Sequence, residues 1–224
     1  MAAEAIRLKG IEHPNQAIVE TDVRRIGATR AAMLAGGAVA LAVVTTRGRG
    51  RDLDDWLFGW ANARLHHPVA DAAFRTVTEL GSIWASTAAA GALAWRGRRR
   101  EAADALGAAG AMWLLGQVLK RAFRRLRPYE ANLPAPGRLL IGRPKGASWP
   151  SSHPAVLLAF VTVAGRNLAL PHSVRRALAG LAGVVGWSRV YLGVHYPVDV
   201  AGGLLLGRAV ADLWTRAASA RALH

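Results

Sequence analysis

The 224-residue sequence contains no cysteine. That excludes a disulfide framework, a thiolate metal site and a cysteine nucleophile. Lysine is scarce too, standing only at positions 9, 120 and 145, so arginine carries most of the excess of 29 basic over 14 acidic residues. Aromatic residues amount to 7%, and the aromatic-studded basic surface of a single-strand binder is missing. A net charge of +15 invites a nucleic-acid partner. Many of the arginines, however, lie in short connectors between apolar blocks, where membrane proteins keep cytoplasmic cations, so no nucleic acid is expected. The first thirty residues carry charges of both signs and the first apolar block starts near Ala31, which leaves no cleavable signal peptide evident.

Apolar residues make up 52% of the chain and come in blocks. A spanning helix needs about 20 mostly apolar residues. Six candidates lie near 27–46, 80–95, 102–119, 154–170, 177–188 with its flank, and 197–215; Ser173 to Arg176 crowd the start of the fifth. The expected fold is therefore all-α, a polytopic membrane bundle of six transmembrane helices forming one domain over 1–224. Frequent alanine and glycine allow close backbone approach between its helices. A soluble all-helical protein is the competing reading, but such apolar blocks leave little amphipathic surface to face water.

The connectors set the orientation. Arg96, Arg98, Arg99 and Arg100 lie between the second and third blocks, Arg166, Arg175 and Arg176 around the fourth connector, and Arg216 and Arg221 after the sixth block. Arg24, Arg25 and Arg30 flank the first. Six alternating helices put all of these on one side, the cytoplasmic side by the positive-inside rule. Residues 1–26 form an N-terminal cytoplasmic or interfacial segment. On the opposite face lie the segment 47–79, read as one or two interfacial helices with Trp56 and Trp60, and the loop 120–153. Asp52, Asp54, Asp55, His66 and His67 share the former segment, yet adjacent histidines diverge on a helix, and no metal site is expected there.

Three motifs fall on that same outer face: Lys120-x6-Arg127-Pro128, Pro150-Ser151-Ser152-His153, and Ser188-Arg189-x5-His195-x3-Asp199. Pro197 suits a first helical turn, which puts His195 just before a helix and Asp199 within its start. Asp199 can then accept from one ring nitrogen of His195, fix the tautomer and stabilise the imidazolium that develops as the other nitrogen attacks. His195 is the expected nucleophile; the alternative is an interfacial histidine beside a capping aspartate. His153 is the expected general acid and then base. Ser151 and Ser152 can donate to phosphate oxygens at a positive helix end, or serve merely as N-caps. Lys120, Arg127 and Arg189 supply a cationic cage for charge spread over a phosphoryl transition state. Charge-assisted bonds contribute about 1.5–3 kcal/mol each. Arg121, Arg124 and Arg125 are read as interfacial residues meeting lipid headgroups.

These motifs resemble the signature of the type 2 phosphatidic acid phosphatase superfamily: K-x6-RP, PSGH and SR-x5-H-x3-D. The first and third match in full; in the second, Ser152 stands where the family has glycine, which crowds the phosphate pocket. The resemblance implies a helical bundle, a metal-independent phosphohistidine mechanism without cofactor, and inhibition by vanadate. The expected activity is hydrolysis of a lipid phosphate or diphosphate at the outer face of a bacterial plasma membrane, with a polyprenyl diphosphate such as undecaprenyl diphosphate favoured. Phosphatidylglycerophosphate, phosphatidic acid and a polyprenyl phosphoribose phosphate are the alternatives. Vanadium haloperoxidases share the constellation but are soluble, and a non-catalytic lipid transporter or scaffold would not need every catalytic side chain.

Overall fold

The computed structural model describes residues 14–221 except 46–47, 64–66, 132 and 134–136; for residues 14–26 only the backbone is described. Eight helices and no strand occur among the described residues: α1 (Pro14–Val44), α2 (Gly48–Ala63), α3 (Pro68–Glu79), α4 (Ile83–Trp95), α5 (Arg99–Phe123), α6 (Ser152–Asn167), α7 (His172–Tyr191) and α8 (Pro197–Arg221). Each of the six apolar blocks is helical, and the segment 47–79 supplies α2 and α3.

Two boundaries differ from the sequence reading. Residues 14–26 continue α1 without a break rather than forming a separate segment. Helix α7 starts at His172, after Pro171 at its N-cap, and runs on to Tyr191. Ser188 and Arg189 therefore belong to its last turn instead of the turn that follows. Arg175 and Arg176 do not delay its start because they are exposed. Six spans are more than helix length and composition establish. Among the described residues, two helices, over Gly27–Val44 and Arg99–Phe123, are long and apolar enough to cross a membrane. Helices α4 and α6 have 13 and 16 residues, about 20 and 24 Å at 1.5 Å per residue, short of a hydrocarbon core of about 30 Å. Helices α7 and α8 carry charges along their length, among them Arg175, Arg176, Asp212 and Arg216.

Helix α6 is the axis of the bundle, packed against α4, α5, α7 and α8, while α1 lies along α8. It is buried from Pro154 to Val161 and again from Val163 to Gly165. Small residues permit this. A Cβ on Gly203 would fall 2.4 Å from the Ser151 carbonyl oxygen, and one on Gly207 2.4 Å from that of Ala155, so only glycine lets α8 lie so close to α6. Ala102, Ala105, Ala108, Ala109 and Met112 form the buried face of α5. The outer surface is apolar in turn, with Met33, Val44, Leu114 and Val118 all more than half exposed. Exposed tryptophans occur at both ends of α4, Trp84 and Trp95, as in the aromatic belts of membrane proteins.

Local caps turn the chain at one end of the bundle. His67 caps α3 by accepting from the Val69 N–H at 3.2 Å, and Ser82 caps α4 by accepting from the Ala85 N–H at 3.0 Å. The buried Asn62 of α2 ties three pieces of backbone. Its Nδ2 donates to the carbonyls of Arg138 (2.9 Å) and Tyr191 (2.7 Å), and its Oδ1 accepts from the Arg138 N–H at 2.6 Å. The irregular chain near Arg138 is thereby fixed to α2 and to the end of α7, and the Leu140 N–H adds a bond to the Leu192 carbonyl.

Candidate active site

The three sequence motifs meet at this end. Lys120 comes from the last turn of α5, His153 from the first turn of α6, Arg189 from the last turn of α7, and Asp199 from the first turn of α8. Arg127 and His195 sit in the loops that follow α5 and precede α8.

Asp199 is fully buried, and donors surround both of its oxygens. Oδ2 accepts from the Tyr196 N–H at 2.9 Å and from the Ser148 hydroxyl, and faces His195 Nδ1 at 3.4 Å. Ser148 Oγ also lies 3.4 Å from the same ring nitrogen. The expected His195–Asp199 pairing is thus present as a long contact with Ser148 beside it. On the other edge of the ring, Nε2 lies 3.3 Å from Arg127 Nη1. A guanidinium only donates, so Nε2 presents its lone pair to Arg127 and the proton of the neutral ring belongs on Nδ1. Burial, aided by the charges of Lys120 and Arg127, pulls the His195 pKa well below its ordinary value against the opposing pull of Asp199. The ring is held neutral.

The cations are fixed by backbone carbonyls. Arg127 donates to Gly146 (2.8 Å) and Val194 (2.9 Å), and Lys120 donates to Ala147 at 2.9 Å. Arg189 is 3% exposed, with one nitrogen bonded to Thr78 Oγ1 at 2.9 Å and its Nε buried without a partner. The hydroxyls of Ser151 and Ser152 are likewise buried and unpartnered. Buried polar atoms are normally satisfied, so the unpaired Arg189 Nε and Ser151 hydroxyl make these two signature residues candidates to meet a polar ligand. Gly81 closes one side, since a Cβ there would lie 2.7 Å from His153 Cβ.

Ser152 departs from the expectation that it crowds the phosphate pocket. Its hydroxyl packs against α5, where a Cβ on Gly116 would fall 3.2 Å from it. A glycine on the neighbouring helix makes room for the side chain.

Arg125 is the clearest correction. Instead of meeting lipid headgroups, its side chain is 12% exposed and donates to Asp199 Oδ1 at 2.8 Å and to Asp54 Oδ2 at 2.6 Å. Burial pulls its pKa down, but the two carboxylates outweigh that and raise it above the ordinary arginine value. Arg121 and Arg124 are exposed. Sequence reasoning also missed Ser148, Thr78 and Asp54. The one signal available was that a buried arginine needs an acid, and Asp54 lies in an acidic run. His67 serves as a helix cap and His66 lies outside the described residues; no cluster able to hold a metal occurs among the described residues.

The profile of the PAP2 superfamily matches residues 101–222, more than half of the chain. The chain belongs to this superfamily, and its class is that of membrane-associated lipid phosphatases. Among curated relatives, the decaprenylphosphoryl-5-phosphoribose phosphatase of Mycobacterium tuberculosis is 35% identical over 127 residues, covering 57% of this chain and 67% of that protein. The undecaprenyl-diphosphatase of Sulfolobus acidocaldarius is 36% identical over 102 residues, covering 45% of this chain and 47% of that one. Of solved structures, the transmembrane PAP2-type phosphatidylglycerolphosphate phosphatase of Bacillus subtilis superposes with a TM-score of 0.70 at 24% identity, covering 85% of this chain and 96% of that one. Aquifex aeolicus LpxE gives 0.62 at 27% identity, covering 71% and 92%.

Proposed function

We propose that the protein hydrolyses a polyprenyl phosphate or diphosphate through a phosphohistidine on His195, without a metal, at the extracytoplasmic face of a plasma membrane. The observation that carries the reading is the neutral, buried His195 with its Nε2 lone pair turned to Arg127 among signature donors that have no protein partner.

In this mechanism Nε2 attacks phosphorus and the bond from phosphorus to the leaving oxygen breaks. Burial and the charges of Arg189, Lys120 and Arg127 lower the His153 pKa to about 3. Its ring therefore takes up the acidic proton of the entering phosphate and passes it to that oxygen, while Lys120, Arg127, Arg189 and the Ser151 hydroxyl hold the equatorial oxygens. Asp199 stabilises the positive charge on the phosphorylated ring. Water then attacks phosphorus, the P–N bond breaks, and His153 takes the proton of the water. With a diphosphate the leaving group is the lipid monophosphate.

Two further features support a lipid with a long apolar tail. The site lies at the ends of apolar helices, opposite the exposed Arg96, Arg98, Arg99 and Arg100, which the positive-inside rule assigns to the cytoplasm. An apolar cavity of about 420 Å³ between α4, α6 and α7, with Leu93, Phe160 and Leu178 in its wall, runs from Leu80 beside the site to Arg96 at the far end. Two relatives, a decaprenylphosphoryl-5-phosphoribose phosphatase and an undecaprenyl-diphosphatase, favour a polyprenyl chain over a diacylglycerol. The test is phosphate release in EDTA by the detergent-purified protein from undecaprenyl diphosphate, a polyprenyl phosphoribose phosphate, phosphatidylglycerophosphate and phosphatidic acid, beside His195→Ala. Turnover greatest on a polyprenyl substrate and lost in the variant is expected. Turnover that needs added metal, or that survives in the variant, overturns the mechanism; a preference for a diacyl lipid overturns the substrate.

A further inference from the structure

We propose that Arg125 and Asp54 act as a positioning pair for Asp199 and hence for His195, tying the nucleophile to helix α2. The inference rests on the assignment of His195 as nucleophile.

The geometry is a chain of short contacts that closes on one peptide. The guanidinium fork spans the two carboxylates, with Nη1 on Asp199 and Nη2 on Asp54. The second oxygen of Asp54 accepts from the Val198 N–H at 3.1 Å. The guanidinium carbon also sits 4.2 Å from the centroid of the Tyr196 ring. Arg125 and Asp54 thus grip the segment between His195 and Asp199 at three points: a ring, a backbone N–H and a carboxylate.

Charge explains why two acids are needed. Asp199 with Arg125 alone is a neutral pair, and a neutral pair offers little to an imidazolium forming beside it. Asp54, with a side chain 1% exposed, returns one negative charge to the cluster. Arg125 can therefore fix the orientation of Asp199 without cancelling its effect on the ring. Only an arginine can do this, because one lysine nitrogen does not span two carboxylates as a planar fork does. Both oxygens of Asp199 are then committed, and Arg125 lies behind it, on the side away from Arg127. A residue so placed acts on the attack step and not on headgroup binding.

The experiment measures kcat and KM on undecaprenyl diphosphate for the full-length protein and for Arg125→Met, Asp54→Asn, the double variant Asp54→Asn/Arg125→Met, and His195→Ala. A misplacement of about 1 Å costs about 100-fold. Arg125→Met should lose about 100-fold in kcat with KM within about twofold, and Asp54→Asn about tenfold, by the same reasoning. The double variant should be no slower than Arg125→Met, because the pair acts as a unit. Arg125→Met strips the guanidinium from two buried carboxylates; should it fail to fold, the double variant, which keeps only the Asp199 charge, carries the same readout. A raised KM at unchanged kcat would make Arg125 a headgroup contact and overturn the proposal, as would losses that multiply in the double variant. If His195→Ala stays active the nucleophile assignment itself fails. If His195→Ala is dead while Arg125→Met and the double variant keep wild-type kcat, the positioning pair alone is wrong.

Discussion

The two ends of this bundle are both rich in arginine and use it in opposite ways. At the end away from the site, Arg96, Arg98, Arg99, Arg100, Arg175 and Arg176 are exposed, and Arg98 finds Glu101 at 3.2 Å in a solvated pair. Exposed pairs of this kind contribute about 0–1 kcal/mol. At the site end, Arg125, Arg127 and Arg189 are almost wholly withdrawn from solvent and are held by carboxylates, carbonyls or a hydroxyl. Taking a charge out of water costs several kcal/mol unless it is paired. Composition counts these arginines alike; burial and partners separate a solvated charge from one built into the interior.

Substitutions at the site end should be far more costly than those at the other. The largest effect is expected for His195→Ala, a loss of at least about 10⁴-fold in phosphate release, since removing a nucleophile leaves only binding and electrostatic catalysis. Arg127→Met and Arg189→Met should each lower kcat/KM by about 10²–10³-fold, as loss of a donor to a developing charge does. Arg99→Ala and Arg100→Ala should stay within about twofold in the same detergent assay. Comparable losses at both ends would erase the distinction between them.

A pH profile sharpens the contrast. His195 must be neutral to attack, and its pKa is pulled well below 6.5 by burial and neighbouring cations. As pH falls through that ordinary histidine value the ring stays unprotonated, so kcat/KM should show no acid limb from His195 near 6.5. A limb there, matched by a His195 ring resonance that titrates over the same range, would mean a solvated ring. The smallest effect concerns Ser152. Gly116→Ala gains helix propensity of about 1 kcal/mol but presses on the Ser152 hydroxyl, so its net effect on thermal stability should be near zero. In a Ser152→Gly background the same change should stabilise by about 1 kcal/mol. Equal effects in both backgrounds would show that the two positions do not touch.

The helices and the meeting of the three motifs were legible in the sequence, because apolar block lengths and the spacing around His195 are local signals. Helix parity then brought Lys120, His153 and Arg189 to one end. The role of Arg125 was not legible. It stands two residues before Arg127 in a run of arginines, and nothing local distinguishes the one turned inward to Asp54 and Asp199 from Arg121 and Arg124, which face outward. That choice is made by packing across 71 residues of chain. Ser148 and Thr78 were hidden for the same reason, as lone hydroxyls whose partners lie in other elements. The path of the loop around Arg138 depends on one amide, Asn62, which pattern and periodicity do not reveal.

That amide has a consequence for how the chain around Arg138 moves. The backbone near Arg138 has no ladder of its own and borrows its hydrogen bonds from a side chain on α2 and from the turn after α7. When Asn62 lets go, three bonds go together, so the amides of Arg138 and Leu140 should exchange with deuterium as one cooperative unit and at a common rate. The segment then opens as a single piece, and one side chain on α2 sets how often it does so.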